Sequence, residues 1–518
     1  MNRDGAKRSL WQNEPSYFPQ KHNFIGAAYD VVVVGGGMTG VVTAYLLQQQ
    51  GKRCLLAEAN NLGFGTTGGT TAHLNTLLDT PYTTISSNFN KDTARLVADA
   101  ASDAIKLIEG HINSLAIECE FARTEAYLFS QDEDETKELD RILNASLEAG
   151  LDAGYVLDLP IPVAFEKAVR FNDQAKFHPM KYLNGIAKAF ESIGGQIVVQ
   201  CRVTSVDESK EMLSISTSQG RISAKNIVYA THIPPGINLL HLRCAPWRSY
   251  AMAVKLSNGN YPDGLIYDMK DPYHYYRTQR IDGQDFLIAG GKDHKTGADE
   301  KTEKSFLTLS AHLQRIFDIA DITHQWSSQY FESADGLPYI GVLPGVSERV
   351  YVATGFGGNG MIYSHVAAVE LSHHILTGKS YYDESFSPSR IKPVAGFTNF
   401  VTHNSEVIKH FVGKWFATTH LEELSQLAPG EGKVVTFDGK RIALSKDENG
   451  KIHAVSPLCT HMKCNVAWNG AELSWDCPCH GARYSLDGKV LTGPADHDLE
   501  TIELRELFSK AKASESES

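Results

Sequence analysis

Six residues in one short window carry the most specific chemistry of this chain. Cys459, His461 and Cys464 fall in CTHMKC, and Cys477, Cys479 and His480 fall in CPCHGARY. Read as ligands, the two boxes give C-x-H, an insert, then C-x-x-H. Thiolates suit iron–sulfur centres or zinc, and imidazole suits zinc, copper or iron. Two Cys and two His therefore leave two candidates. One is a structural zinc. The other is a [2Fe–2S] cluster with one iron on Cys459 and Cys477 and the other on His461 and His480. Each box supplies one Cys and one His, so two facing loops can present both sulfurs to one iron and both nitrogens to the other. That division favours the cluster.

A second constellation lies near the start of the chain, in YDVVVVGGGMTGVVTAYLLQQQGKRCLLAEA. A continuous Val run suits a parallel strand buried on both faces. Gly35, Gly37 and Gly40 then match G-x-G-x-x-G, with Met38 and Thr39 opening a helix. The first Gly permits the turn, the second lets backbone N–H groups approach a pyrophosphate, and the third lets helix and strand pack closely. Glu58 ends the next strand, where a carboxylate accepts from ribose hydroxyls. Strand, turn, helix, strand and acid together predict a dinucleotide site. A Gly/Thr-rich loop follows, with Gly65, Thr66, Thr67 and Gly68, and then His73. Gly355-Phe-Gly357-Gly358-Asn-Gly360-Met361 repeats the glycine spacing late in the chain, but no second βα unit with an acid follows it.

Both constellations resemble known families. The C-T-H-x-x-C and C-P-C-H-G boxes, followed by Gly493-Pro494-Ala495, resemble the Rieske proteins of cytochrome bc and b6f complexes. The resemblance implies a disulfide between Cys464 and Cys479. It also assigns Tyr484 as a donor to a ligand sulfur. Ala482 stands where high-potential members carry Ser, which implies a potential below the respiratory type. Lys463 replaces a common Gly in the first box. Residues 30–378 resemble the D-amino-acid oxidase superfamily of flavoproteins, which includes glycine, sarcosine and gamma-glutamylputrescine oxidases. That resemblance implies FAD, with contacts from Gly65, Thr66 and Thr67, a polar contact from His73, and backbone near Val203 and Ala230. It implies a closing motif of Asp335, Gly336, Pro338 and Gly341 before Gly357, Gly358, Gly360 and Met361 at the flavin. Among Tyr250, Tyr267, Tyr273, Tyr275, Tyr276, Arg248 and Arg277, it points to Arg248, Tyr276 and Arg277 as candidate ligands of a substrate carboxylate, for which the planar guanidinium is suited.

The remaining elements must position these sites. At 518 residues the chain exceeds one ordinary domain. The expected fold is an α/β Rossmann-like FAD-binding domain with an interleaved α+β substrate domain, followed by a small all-β Rieske domain. The expected boundaries are a surface arm at 1–29, the oxidoreductase domain at 30–378, a linker at 379–405, the Rieske domain at 406–508 and a disordered tail at 509–518. FAD-binding parts fall at about 30–82, 190–235 and 331–378, and the substrate domain at about 83–189 and 236–330. Residues 83–157 read as helical, and 245–330 as an antiparallel sheet walling a substrate pocket. The Rieske unit is expected to open near His410.

Net charge is −12 and pI about 5.9, which disfavours nucleic acid as a partner. Cys54, Cys119, Cys201 and Cys244 lack metal spacing. No signal-peptide pattern or membrane-spanning run is visible, so a cytoplasmic location is expected. The combined expectation is an FAD-dependent oxidoreductase acting on a small amine or amino acid. It would pass electrons from flavin to its own cluster, and then to an unidentified acceptor protein or quinone. Two other functions fit the same residues: an NAD(P)H-linked reductase feeding an oxygenase, and a redox-sensing module without turnover. No catalytic acid or base is assigned.

Overall fold

A computed structural model describes residues 3–15, 17–20, 24–209, 211–299, 301–390, 427–437 and 440–503. The expected linker beyond 390, the opening of the Rieske unit near His410 and the tail at 509–518 lie outside the described residues.

The Val run forms strand Ala28–Val34 at the centre of an eight-stranded sheet. It pairs in parallel with Cys54–Ala57 on one side and Gly220–Tyr229 on the other. Val31, Val32 and Val33 are fully buried, as a strand covered on both faces requires. Helix Met38–Gln49 follows the glycine turn and lies in the core nearly all round. Helix Gly360–Thr377 packs beside it and is similarly apolar.

The second sheet has nine strands, mostly antiparallel. Its long strands Cys244–Leu256 and Ile319–Ser333 run side by side, with Gln284–Lys295 on the other side of the first. Helix Lys91–Leu115 packs on the other half, against helices Gly360–Thr377 and Pro179–Ser192. Its Asn90 cap accepts the Thr93 N–H, and the chain leaves the helix through Ala116 in the left-handed region. Val97, Ala101, Ile105 and Ile108 form its buried stripe. The stretch 83–157 is not wholly helical. Strand Ala122–Ser130 separates the two long helices and pairs with Lys167–Lys176. Its burial alternates over most of its length, a period of two that a helical reading overlooks.

The C-terminal unit consists of two small antiparallel sheets. One holds Gly432–Phe437, Lys440–Lys446 and Ile452–Val455, and the other Ala467–Asn469, Ser474–Asp476, Arg483–Ser485 and Val490–Thr492.

The N-terminal stretch is partly inserted and partly exposed, with Phe18 84% exposed. Arg3, Asp4, Ser9, Leu10 and Trp11 are buried. Arg3 and Asp4 sit between the large unit and the C-terminal one, in a six-charge cluster. Arg483 meets Asp4 at 3.0 Å and Asp476 at 3.1 Å, Arg248 meets Asp476 at 3.2 Å, and Arg3 meets Glu472 at 3.7 Å. Three cations face three carboxylates, so the buried charge balances. Burial opposes ionisation of Asp476, yet Arg483 and Arg248 hold its carboxyl below the usual range.

Candidate functional site

One elongated cavity runs along the C-terminal edge of the first sheet and on to the second sheet. Gly35 to Thr39, Glu58, Gly65 to Thr67, Val203 and Ala230 line one stretch of it. Gly35 has φ +112, and a Cβ there would lie 2.4 Å from the Ala230 carbonyl oxygen. Gly40 does not line the cavity. A Cβ on it would lie 1.9 Å from the Gly35 carbonyl oxygen, so this Gly lets helix and strand touch. Glu58 accepts the Gly36 and Asn60 N–H groups, each at 2.6 Å, and burial raises its pKa. Thr67 Oγ1 accepts the Met38 N–H at 3.0 Å and ties the Gly/Thr loop to the helix start.

The other end lies under the second glycine turn. Gly357, Gly358, Gly360 and Met361 line it, as do His73, Tyr267, Tyr273 and Tyr275. His73 Nδ1 shares a hydrogen bond with the Tyr267 hydroxyl, and its Nε2 is buried without a partner. Burial, then Arg277 and Lys176, keep this imidazole neutral.

Like Gly40, several other expected residues lie outside the cavity lining. Asp335 does not line the cavity. It holds Arg390 bidentately at 2.7 and 2.8 Å, and so ties the segment before residue 390 to the large unit. Gly341 packs its backbone against Pro388. Arg248 belongs to the buried charge cluster. Arg277 donates to the Ala72 and Phe177 carbonyls and to Gln279, and burial pushes it down to about 9. Tyr276 bonds His312 at 2.6 Å among core aromatics. The expected Arg–carboxylate clamp is therefore absent from the described lining. Sequence reading missed Asp79, Asp293 and Tyr330, which do line the cavity. Asp293 and Tyr330 fall within the stretch 245–330 expected to wall the pocket, whereas nothing in the sequence marked Asp79.

The two ligand boxes face each other. Cys464 and Cys479 form a disulfide, which removes them from any ligand set. Cys459 and Cys477 remain as free buried thiols, close enough to share a proton. The Cys477 thiol beside Cys459 holds it low, while Cys477 itself is held high. The His461 and His480 rings lie 5.1 Å apart. His461 Nε2 donates to the Gly236 carbonyl at 3.0 Å, and its Nδ1 is buried with no partner. A lone pair on Nδ1 is what a ligating imidazole presents. The Tyr484 hydroxyl lies 3.1 Å from Cys459 Sγ and accepts the Thr460 N–H at 3.0 Å. Ala482 is fully buried. These donors fit a cluster of two thiolates and two imidazoles.

The cluster loops are docked onto the cavity wall. Gly481 has φ +74, and a Cβ on it would strike Pro246, Gln329 and Phe331. Gln329 Nε2 donates to the Gly481 carbonyl at 2.8 Å, next to His480. Gln329 and Phe331 themselves line the cavity. At the Glu58 end the cavity is closed by Leu491 to Asp496, and Arg202 donates to the Val490 carbonyl at 3.4 Å.

Comparison with known proteins agrees with this geometry. Residues 30–374 match the family described as FAD dependent oxidoreductase, and residues 414–503 match the Rieske [2Fe-2S] domain. A Bacillus subtilis chain named a Rieske 2Fe-2S iron-sulfur protein, YhfW, is 32% identical over 477 residues, covering 92% of this chain and 93% of its own. Gamma-glutamylputrescine oxidoreductase of Escherichia coli is 22% identical over 372 residues, covering 69% and 86%. The crystal structure of glycine oxidase from Geobacillus kaustophilus superposes with TM-score 0.57 at 17% identity, covering 70% of this chain and 99% of that one. The chain belongs to the FAD-dependent oxidoreductase family and carries a Rieske [2Fe-2S] domain after its flavin domain.

Proposed function

We propose that this oxidoreductase oxidises the C–N bond of a small amine or amino acid and delivers the electrons through its own [2Fe–2S] cluster to a separate acceptor. When bound, FAD accepts a hydride equivalent from carbon and the cluster carries electrons singly. The observation that carries the reading is the wall between the two sites. Gln329 lines the cavity on one side and bonds the Gly481 carbonyl beside ligand His480 on the other. Gln329 and Phe331 thus touch both the cavity and the loop that carries His480. A tethered carrier docked this closely suits intramolecular transfer.

The chain's own residues do the rest. Gly35 to Thr39 and the start of helix Met38–Gln49 present backbone N–H groups to a pyrophosphate. Glu58 keeps both oxygens on backbone donors, which fixes its orientation toward a ribose. The start of helix Gly360–Thr377 brings a positive helix end to the far side of the cavity. Tyr484 donates toward Cys459 and favours the reduced state of that iron site. Among the described residues no helix is long and apolar enough to cross a membrane.

Anaerobic addition of N-methyl amino acids, D-amino acids and polyamines to the purified chain tests this reading. Bleaching of the flavin by at least one of them supports it. Bleaching by NADH or NADPH alone points instead to a reductase, and bleaching by none of these compounds rejects turnover of an amine.

A further inference from the structure

Among the described residues, the end of the cavity under the second glycine turn is lined by carboxylates and by no arginine or lysine, although Lys295 stands near enough to act on Glu332. Asp79 and Asp293 line it, with Tyr267, Tyr273, Tyr275 and Tyr330. Asp79 accepts the Gly358 N–H at 2.7 Å and the Tyr273 hydroxyl at 3.3 Å. Asp293 Oδ2 accepts the Tyr330 hydroxyl at 2.8 Å, while its Oδ1 is buried with only the Ser249 hydroxyl close enough to act on the carboxylate. Glu332 stands beside Phe331 and feels both carboxylates. Burial first, and then Asp79, raise Asp293 to about 6. Burial, then Asp79 and Asp293, raise Glu332 to about 7. Among the described arginines and lysines only Arg202 lines the cavity, and it sits at the opposite end, near Glu58. Arg248 and Arg277 are fully buried and spent on other partners.

We propose that this end of the cavity selects a cationic amine with no carboxylate next to the reacting carbon, its ammonium charge met by Asp79 and Asp293. The proposal rests on the reading of the cavity as an amine-oxidising site, and names its substrate class. Three separate features carry it. A substrate carboxylate would add a like charge where two already repel each other and no guanidinium is free to pair with it. An ammonium would relieve that repulsion and bring a charged donor to the buried Asp293 carboxylate. Four tyrosine rings line the same end, and their faces attract cations. Each ring also has its hydroxyl engaged: Tyr267 with His73, Tyr273 with Asp79, Tyr275 with Ser249 and Tyr330 with Asp293.

The test is binding to the full-length, FAD-loaded protein, read as perturbation of the flavin absorption spectrum without oxygen. Benzyltrimethylammonium serves as a cation whose nitrogen has no proton to lose. Butane-1,4-diamine and 4-aminobutanoate form a pair that differs in one terminal charge, and N-methylglycine supplies the carboxylate next to the reacting carbon. The cations are expected to bind about tenfold or more tightly than either carboxylate-bearing compound. Asp293→Asn should weaken cation binding by about tenfold while flavin content and far-UV circular dichroism stay unchanged. Asp79→Asn, whose amide oxygen can still accept the Gly358 N–H, should do the same. Equal or tighter binding of N-methylglycine, or cation affinity unmoved in both variants, overturns the proposal. Because benzyltrimethylammonium reports binding without turnover, the result stands whether or not any amine bleaches the flavin. Bleaching by N-methylglycine in preference to the diamine would sink the cation proposal and leave the amine-oxidation reading intact.

Discussion

The two ends of the cavity are built by opposite means. The Glu58 end is made of backbone: three glycines, a helix start and one carboxylate pinned by two N–H groups. The far end is made of side chains from segments far apart in sequence, including Asp79, Tyr267, Asp293 and Tyr330. Backbone sites recognise what all nucleotides share, and they fail when a methyl group is added. Side-chain sites set which substrate enters, and they fail when a charge is removed. The same contrast extends to the join between units, where six buried charges hold the Rieske unit against the sheet that forms the far end.

Side-chain construction should be the more fragile where charge is buried. Arg483→Met leaves Asp4 and Asp476 without their main partner, and the expected loss is about 3–5 kcal/mol by denaturant unfolding. Loss of less than about 1 kcal/mol would mean the network is solvated and the unit loosely docked. Backbone construction predicts a sharp contrast between two glycines. Gly40→Ala places a methyl group on the Gly35 carbonyl and should cost about 1–3 kcal/mol together with most of the bound flavin. Gly110→Ala, in helix Lys91–Leu115 and away from the cavity, meets nothing within 4 Å and should retain flavin.

Ionisation at the far end adds a smaller effect. Asp293 and Glu332 hold their protons up to about 6 and 7. Affinity for a permanent cation should therefore rise as pH climbs through that window, and a flat profile from pH 5 to 8 would contradict it. Stability runs the other way. These two carboxyls bind protons more tightly folded than unfolded, so their contribution is present at acid pH. It declines from the unfolded carboxylate range, about 4, up to about 7. The smallest expected change is at the cluster. Tyr484→Phe removes the donor to Cys459 and should lower the midpoint potential in a redox titration, whereas Ala482→Ser should raise it.

The chemistry that was legible in the sequence is the chemistry written locally. Gly35, Gly37, Gly40 and Glu58 lie within one βα unit, so spacing alone predicts their arrangement. The Cys and His boxes likewise carry their geometry in short loops. Arg248 shows where local reading stops. Its partner Asp476 lies 228 positions away in another unit, and no pattern around Arg248 announces it. Asp335 was drawn away by Arg390 in the same manner. Asp79 and Asp293 sit in ordinary polar surroundings, and only tertiary packing brings them to one cavity. The N-terminal stretch looked like an arm because it is short and polar. Its Arg3 and Asp4 find charged partners, Glu472 and Arg483, in the C-terminal unit, far away in sequence.

The account stands most directly on where electrons go after they leave the substrate. Freeze-quench sampling of the FAD-loaded, iron-loaded protein during one anaerobic turnover, read by optical absorption and electron paramagnetic resonance, decides it. The predicted result is a rhombic signal of the reduced [2Fe–2S] cluster that rises within the same turnover in which flavin absorbance falls, independent of protein concentration. A flavin that stays fully reduced beside an oxidised cluster, or a cluster signal that grows with protein concentration, would contradict intramolecular transfer across the Gln329 wall.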